Sequence, residues 1–327
     1  MNQSIDATVF DIDYLAEADR IGDGIRAALR DVLNRRGLVV AISGGIDSSV
    51  CAALAVRTLG ARKVFGLLLP ERDSSSASGT RGRTLAEHLG IEYTVHDIAP
   101  TLDAIGCYEW RDSAIRSVFP DYGIDWKNKI AISGGIQGGV NHFLLVVEDP
   151  SGNRQEKRLP LKEYLQIVAA TNYKQRIRKT VEYFHADRLN YAVVGTPNYL
   201  EYDQGFFVKN GDGSADIKPI AHLYKTQVYA MAKALGLPGE ITSAVPTTDT
   251  YSLPQGQDEF YFALPYQQMD LALWALNHGV GAEALGRAIG ISAEQAEWVF
   301  EDIHKKRSTT AYLHARPVLL GSSTEHL

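Results

Sequence analysis

Apolar positions along the chain follow two periods in turn. Between Ile21 and Leu33 they fall at Ile21, Ile25, Leu29, Val32 and Leu33, the three-and-four spacing of an amphipathic helix. Gly37 ends that pattern, and the unbroken run LVVAIS (38–43) reads as a strand buried on both faces. Gly44 and Gly45 supply a turn, and SSVCAALAVRTL (48–59) predicts a helix stopping near Gly60. The cycle then repeats. KVFGLLL (63–69) is a second buried strand, a Ser-rich loop covers 73–78, a helix runs over 80–89 to Gly90, and EYTVHDI (92–98) is a third strand. This βαβαβ alternation predicts a parallel sheet with right-handed crossovers.

Further along, a helix is expected over 172–187 and a fourth buried strand in YAVVGT (191–196). GFFVKNGDGSADIKPI then lacks any period and is rich in Gly and Asp, which marks a functional loop. Residues 224–235 predict a helix closed by Gly236 and Pro238; 246–264 is turn-rich, and 267–306 is mostly helical. One segment breaks the alternation. NHFLLVVE (141–148) and RQEKRLPL (154–161) flank DPSGN and read as two antiparallel strands joined by a turn. The expected architecture is a single α/β domain over 1–327, doubly wound and mainly parallel. An insertion at 105–165 carries a β-hairpin at 141–161.

Just before that hairpin, AISGGI (131–136) repeats AISGGI (41–46) letter for letter. The copy continues as Gln137-Gly138-Gly139 where the original has Asp47-Ser48-Ser49. It lacks the carboxylate and hydroxyls of a nucleotide site and reads as coincidence or a plain glycine turn, with a second phosphate site as the alternative.

Composition narrows the function classes. With 45% hydrophobic and 22% charged residues the 327-residue chain can bury a substantial core. A net charge of -6 argues against a chain built mainly to grip nucleic-acid backbones. The two cysteines, Cys51 and Cys107, form no CxxC pair, which disfavours a disulfide framework or a zinc site. The start MNQSIDATVFDIDYL has no signal-peptide pattern, and no run of about 18 apolar residues suggests a membrane span. A cytoplasmic location is expected, with no membrane and no nucleic-acid partner. The nine histidines are scattered, so a zinc-type catalytic centre is not expected.

The chemistry centres on Ser43-Gly44-Gly45-Ile46-Asp47-Ser48-Ser49, between a buried strand and a helix. Two glycines let the backbone turn sharply and offer its N–H groups to a ligand. The following helix aims its free N–H groups and dipole at the same point, which suits an anion. Ser43, Ser48 and Ser49 add hydroxyl donors, and Asp47 can hold Mg²⁺ against phosphates. A bland strand–helix turn capped by Asp47 is the alternative. The spacing is neither that of a GxxxxGK[ST] P-loop nor that of GxGxxG.

The loop resembles the SGGxDS pyrophosphate loop of the ATP pyrophosphatase family, whose members cleave ATP between the α and β phosphates. The loop alone leaves open tRNA-modifying enzymes, GMP synthetase, argininosuccinate synthetase and asparagine synthetase. Further motifs resemble those of ammonia-dependent NAD synthetases: Asn172–Arg178 (NYKQRIR) as an NxxxRxR helix, Val194-Gly195-Thr196, Phe206–Asp216 (FFVKNGDGSAD), Lys225–Val228 (KTQV), Pro246–Asp249 (PTTD), Asp258-Glu259 and His304–Arg307 (HKKR). The resemblance covers nearly the whole chain except about 105–165.

It implies roles. Asp47 and Glu201 match Mg²⁺ ligands; Ser43, Gly44, Gly45, Asp47, Ser48 and Ser49 match the ATP loop. Arg178, Thr196, Lys225 and Thr247 match ATP contacts. Asp47, Lys225 and Thr247 are the candidate catalytic residues, and Arg176, Lys209, Asp212 and Asp216 match the substrate loop. The aromatics Phe206, Phe207, Tyr251, Tyr261 and Phe262 suit either a stacking role or the core. The implied reaction takes ATP as substrate, with Mg²⁺, and turns deamido-NAD and ammonia into NAD, AMP and pyrophosphate. A homodimer is implied, as is free ammonia or ammonia from a separate glutaminase.

Three departures bear on this. Pro197 stands where the family has an acidic or small residue, SAVPTTDT lacks a polar residue often found before the PTxD motif, and the 105–165 insertion is long. The insertion puts the acceptor acid in question more than the ATP chemistry. The rival readings are a ligase of the same chemistry amidating another carboxylic acid, a non-catalytic nucleotide-binding protein, and, more weakly, a tRNA-modifying enzyme.

Overall fold

The computed structural model describes residues 5–133, 142–244, 250–256, 261–262 and 264–320. Its centre is a four-stranded parallel sheet of β1 (Leu38–Ala41), β2 (Val64–Leu68), β3 (Glu92–Val95) and β7 (Ala192–Val193), in the order β3-β2-β1-β7. The register pairs Leu38 with Val64 on one side and with Ala192 on the other. Alternate residues of β1 serve opposite faces, as strand geometry requires. Leu38 and Val40 join a core with α1 (Tyr14–Ala27), α2 (Ile46–Leu59), α3 (Ser76–Leu89) and α8 (Lys225–Ala234). Val39 joins a second core with Leu102 of α4 (Ala99–Ala104), Cys107 and Tyr108 of α5 (Cys107–Val118) and Ala186 of α6 (Leu161–Leu189). Both faces are covered, so the strands read as continuous apolar runs. β1 has β2 on one side and β7 on the other, and the chain reverses its progress there. Such a switch point opens a crevice at the carboxyl ends of the strands.

The fourth strand is shorter than its apolar run. Val194 N still donates to Val39 O of β1 at 3.0 Å, and from there the chain turns to Ile217, through a parallel bridge at Val194 and a bond from Gly195 N to Ile217 O.

The insertion is a second, antiparallel sheet. The expected strand pair is there as β5 (Phe143–Glu148) and β6 (Arg154–Arg158), joined on its other edge by β4 (Lys127–Ile132). The alternation in KNKIAI explains β4: Asn128 and Ile130 are buried while Lys127 faces solvent. The repeated AISGGI thus begins as a strand; its residues 134–136 lie outside the described residues. Ile130, Leu145 and Val147 pack on Ala114 and Ile115 of α5, Ile167 of α6 and Tyr251. The outer edge, β6, is exposed and charged throughout its ends, which discourages edge pairing. A third packed unit joins α7 (Tyr199–Gln204) to the C-terminal helices α10 (Tyr266–Asn277), α11 (Ala282–Ile289) and α12 (Ala293–His314), which follow the short α9 (Gly239–Thr242). No helix among the described residues is long and apolar enough to cross a membrane.

Candidate active site

Ser43 to Ser49 turn the end of β1 into α2, and local bonds fix the turn. Gly44 has φ +78, and a Cβ there would lie 2.2 Å from Ser78 O, so only glycine lets α3 approach this closely. Ser48 Oγ accepts from Ser43 N at 3.2 Å and donates to Gly45 O at 3.1 Å; Ser49 Oγ donates to the same carbonyl at 2.8 Å. Gly45 N in turn donates to Ser43 Oγ at 3.2 Å. Arg81, from α3, donates to Gly44 O at 2.9 Å and to Ser78 Oγ at 3.2 Å, clasping the loop. Ser49 is fully buried, so its hydroxyl serves the turn.

Asp47 lies in the first turn of α2 and meets two partners from distant segments. Asn198 Nδ2 donates to its Oδ1 at 3.0 Å, and the buried Lys225 ammonium donates to its Oδ2. Lys225 Nζ is also 3.8 Å from Glu201 Oε1. Burial alone would push the Lys225 ammonium down, but Asp47 and Glu201 outweigh it and hold the group above the usual lysine range. Asn198 caps α7: its Oδ1 accepts from Glu201 N at 3.1 Å while Glu201 Oε2 accepts from Asn198 N at 3.3 Å. One residue therefore orients both acids. Lys225 opens α8, and the buried Asp270 on α10 accepts from Lys225 N at 3.3 Å and Thr226 N at 2.6 Å. Burial raises the Asp270 carboxyl to about 6 against those bonds.

Asp47, Glu201 and Lys225 line one cavity of about 1020 Å³, shared with Thr196, Arg176, Arg178, Lys209 and Asp212. Arg178 Nε donates to Leu69 O at 3.2 Å. Arg176 Nε donates to Lys209 O at 3.3 Å, and Lys209 Nζ itself donates to Tyr312 O at 2.7 Å and Ala315 O at 3.2 Å. Asp212 Oδ1 accepts from Val208 N at 2.8 Å, and burial pushes its carboxyl up against that bond. Asp216 lies away from the cavity lining. Its carboxylate accepts from Val193 N at 2.7 Å and Tyr183 OH at 3.3 Å, seating the 205–220 loop on the sheet edge. Thr247, with Pro246, Thr248, Asp249, Asp258 and Glu259, lies outside the described residues. Pro197 is buried just before Asn198 and lines the cavity.

The suggested stacking rings divide between cavity and core. Phe206 packs on Tyr261 and Phe262 with centroids 4.7 and 5.5 Å apart, and Tyr251 is buried under the insertion. In the basic C-terminal segment, Arg307 forks onto Asp203 at 2.9 and 2.8 Å and so ties α12 to α7, the helix that carries Glu201. Lys306 donates to Tyr261 O and Asp302 Oδ2, both at 2.6 Å, and burial lowers its ammonium.

Sequence reasoning missed a buried ionic cluster beside the cavity. Lys174 Nζ donates to Glu71 Oε1 at 3.0 Å, Asp73 Oδ2 at 2.7 Å and Thr250 O at 2.9 Å. Arg111, from the insertion, donates to Asp73 Oδ2 at 2.5 Å and Asp112 Oδ1 at 2.7 Å, and Tyr108 OH donates to Glu71 Oε2 at 2.9 Å. On the other flank Tyr229 OH donates to Ala244 O at 2.8 Å. The cavity residues Lys174 and Tyr229 thus bond Thr250 and Ala244, the described residues on either side of 245–249. Lys174 falls inside NYKQRIR, yet nothing in that motif announces partners about a hundred positions away.

The NAD synthase family profile matches residues 17–116 and 150–310. An NH(3)-dependent NAD(+) synthetase from Rhizobium meliloti (strain 1021) is 58% identical over 315 residues, which cover 96% of this chain and 94% of that one. Another from Thermotoga maritima is 39% identical over 243 residues, 74% of this chain and 81% of that one. Among solved structures, an NAD+ synthetase from Burkholderia pseudomallei gives a TM-score of 0.56 at 25% identity, covering 92% of this chain and 91% of its own. An NH3-dependent NAD synthetase from Campylobacter jejuni gives 0.61 at 22% identity over 95% and 100%, which shows a shared fold. The chain belongs to the NAD synthase family.

Proposed function

We propose that the protein is an ammonia-dependent NAD synthetase, turning deamido-NAD, ATP and ammonia into NAD, AMP and pyrophosphate. The observation that carries this reading is the convergence of Asp47, Glu201 and Lys225 beside the Ser43–Ser49 loop. High identity to relatives named for this activity supports it. In this reading the acceptor's carboxylate oxygen attacks the α-phosphorus of ATP, the α–β bridging bond breaks, and pyrophosphate leaves. Ammonia then adds to the acyl carbon, loses a proton, and AMP departs with the former carboxylate oxygen.

The chain's own groups have distinct tasks here. The N–H groups of Gly44, Gly45 and the first turn of α2, with the Ser43 and Ser48 hydroxyls, hold the departing pyrophosphate. Lys225, kept charged by its acidic neighbours, meets negative charge building on the leaving oxygens. Arg178, Thr196 and Thr247 complete the ATP contacts, and Arg176, Lys209 and Asp212 shape the loop over the acceptor. Asp216 serves that loop from behind.

Mg²⁺ takes hard oxygen donors, commonly one or two carboxylates together with substrate phosphates. Asp47 and Glu201 approach the same ammonium, so their oxygens lie together at the strand ends and fit such an ion. When bound there, the ion offsets the charge of the triphosphate. A cytoplasmic homodimer belongs to the same reading. Trp110 on α5 and Leu161 and Leu165 on α6 are exposed apolar residues of adjoining helices, and they support an interface.

The test is NAD formation from purified protein with deamido-NAD, Mg-ATP and ammonium. NAD appearing only when all are present upholds the reading. ATP cleavage with other carboxylic acids but not with deamido-NAD would replace it with a relative of different acceptor.

A further inference from the structure

The cavity extends well beyond the ATP loop. One face of α6 runs along it, through Tyr164, Val168, Thr171, Gln175, Arg178 and Glu182 at helical spacing. Arg178 marks the sheet end, bonded to the chain just after β2. Tyr164 stands roughly 20 Å nearer the start of the helix, at about 1.5 Å per residue. The end of the cavity near Tyr164 is built by the insertion.

There Ile132 of β4 and Phe143 of β5 are register partners, and both line the cavity. Strand alternation puts Phe143 on the same face as Leu145 and Val147, which are fully buried. Phe143 is where that face runs out of core and opens on the cavity. It stacks on Tyr164 with centroids 3.9 Å apart and planes 13° apart, and both rings are half-buried. Val168 continues the apolar wall one turn along α6.

We propose that the Phe143–Tyr164 pair holds a ring of the carboxylate-bearing acceptor, so that the insertion is a specificity element for that substrate. This rests on the reaction proposed above. The anionic part of ATP finds its donors at the strand ends, in Ser43, Gly44, Gly45, Ser48 and Arg178. The opposite end offers apolar and aromatic surface, which suits a planar ring and not a phosphate. A dinucleotide acceptor carries a ring at each end. With its reacting carboxylate at the α-phosphorus, its other ring is carried away along the cavity. An existing ring pair extends its stack to a third ring without polar partners. Phe143 also falls within 117–149, the stretch that the family profile leaves unmatched. The insertion supplies this ring, and the part of the chain common to the family does not.

The experiment compares Phe143→Ala, Phe143→Leu and Tyr164→Leu with the ring-retaining Phe143→Tyr and Tyr164→Phe. Michaelis constants are measured separately for deamido-NAD and ATP, with calorimetric binding of deamido-NAD and thermal unfolding in parallel. Removing a ring is expected to raise KM and Kd for deamido-NAD about tenfold, the scale of base–aromatic stacking, with KM for ATP moving less than about twofold. The ring-retaining variants stay near wild type. Phe143→Leu keeps the apolar bulk and gives the answer if the alanine variant unfolds. Unchanged acceptor constants, or an ATP constant that rises as much, overturn the proposal. If wild-type protein binds deamido-NAD without making NAD, the assigned reaction falls and the wall is judged on the Kd values alone. If it does not bind deamido-NAD, both fall.

Discussion

Lys225, the first residue of α8, bonds Asp47, in the first turn of α2, across the carboxyl ends of β1 and β7. The two residues are far apart in sequence, yet each is set by a short local device. Asp47 is set by the glycine turn that starts α2. Lys225 is set by the buried Asp270, which accepts its backbone N–H and that of Thr226.

Replacing Lys225 with Met should therefore act twice. Loss of a charge-stabilising donor is expected to lower kcat by about 10²- to 10³-fold. Stranding Asp47 and Glu201 should also cost roughly 3 kcal/mol of stability. Urea unfolding and NAD formation measure the two separately. Lys225→Arg should not restore activity, since a planar fork does not fit the compact space of a buried ammonium. A Met variant with wild-type kcat would remove Lys225 from the reaction.

Gly44 and Gly45 should respond differently to alanine. At Gly44 the substitution meets positive φ and the Ser78 carbonyl together, so at least about 2 kcal/mol of stability should be lost. At Gly45 φ is -88 and the nearest contact is Ser43 Oγ at 3.3 Å, so the loss should stay within about 1 kcal/mol. Equal losses in denaturant unfolding would contradict the turn geometry described here.

Asp270 gives a pH signature. Its carboxyl is raised from 3.8 unfolded to about 6 folded, chiefly by burial. The folded state therefore holds the proton more tightly. The associated stability is full below about 4 and is lost as pH rises through about 6, in total roughly 3 kcal/mol. Asp270→Asn removes this dependence. Relative to wild type, the variant should gain stability between pH 4 and pH 7, as read from unfolding curves at each pH. A constant difference across that range would show that Asp270 does not titrate there.

Lys174→Met should be among the most damaging changes outside the ATP loop. It leaves Glu71 and Asp73 buried with one cation fewer, at a cost of about 3–5 kcal/mol. It also removes a bond to the carbonyl of Thr250, three residues after Thr247 in the sequence. Among molecules that stay folded, kcat should fall more than the affinity for ATP. Neutralising a carboxylate in Lys174→Met/Asp73→Asn should recover part of the stability.

The parts of this molecule legible in its sequence are those encoded locally. The βαβαβ core follows from runs such as LVVAIS and from glycines that stop each element. The Ser43–Ser49 turn is readable because its residues bond mainly to one another. The shortened β7 was not legible, because Val194 makes the last bond to β1 and Gly195 turns to Ile217, a partner chosen by the loop's return path. β4 was hidden beneath the repeat AISGGI, although its alternation was present. The Lys174–Glu71–Asp73–Arg111 cluster was invisible for a physical reason: its four ions come from three segments, and each alone reads as an ordinary surface charge. The role of Asp216 shows the same limit, since a motif gives position in a loop but not the direction of a side chain.

The most direct test of the central claim uses deamido-NAD labelled with ¹⁸O in its carboxylate, with Mg-ATP and ammonium. If the carboxylate attacks the α-phosphorus, one labelled oxygen per NAD should appear in AMP and none in pyrophosphate, as read by mass spectrometry. Label in pyrophosphate or released phosphate, or unlabelled AMP accompanying NAD, would contradict adenylation at the site formed by Asp47, Glu201 and Lys225.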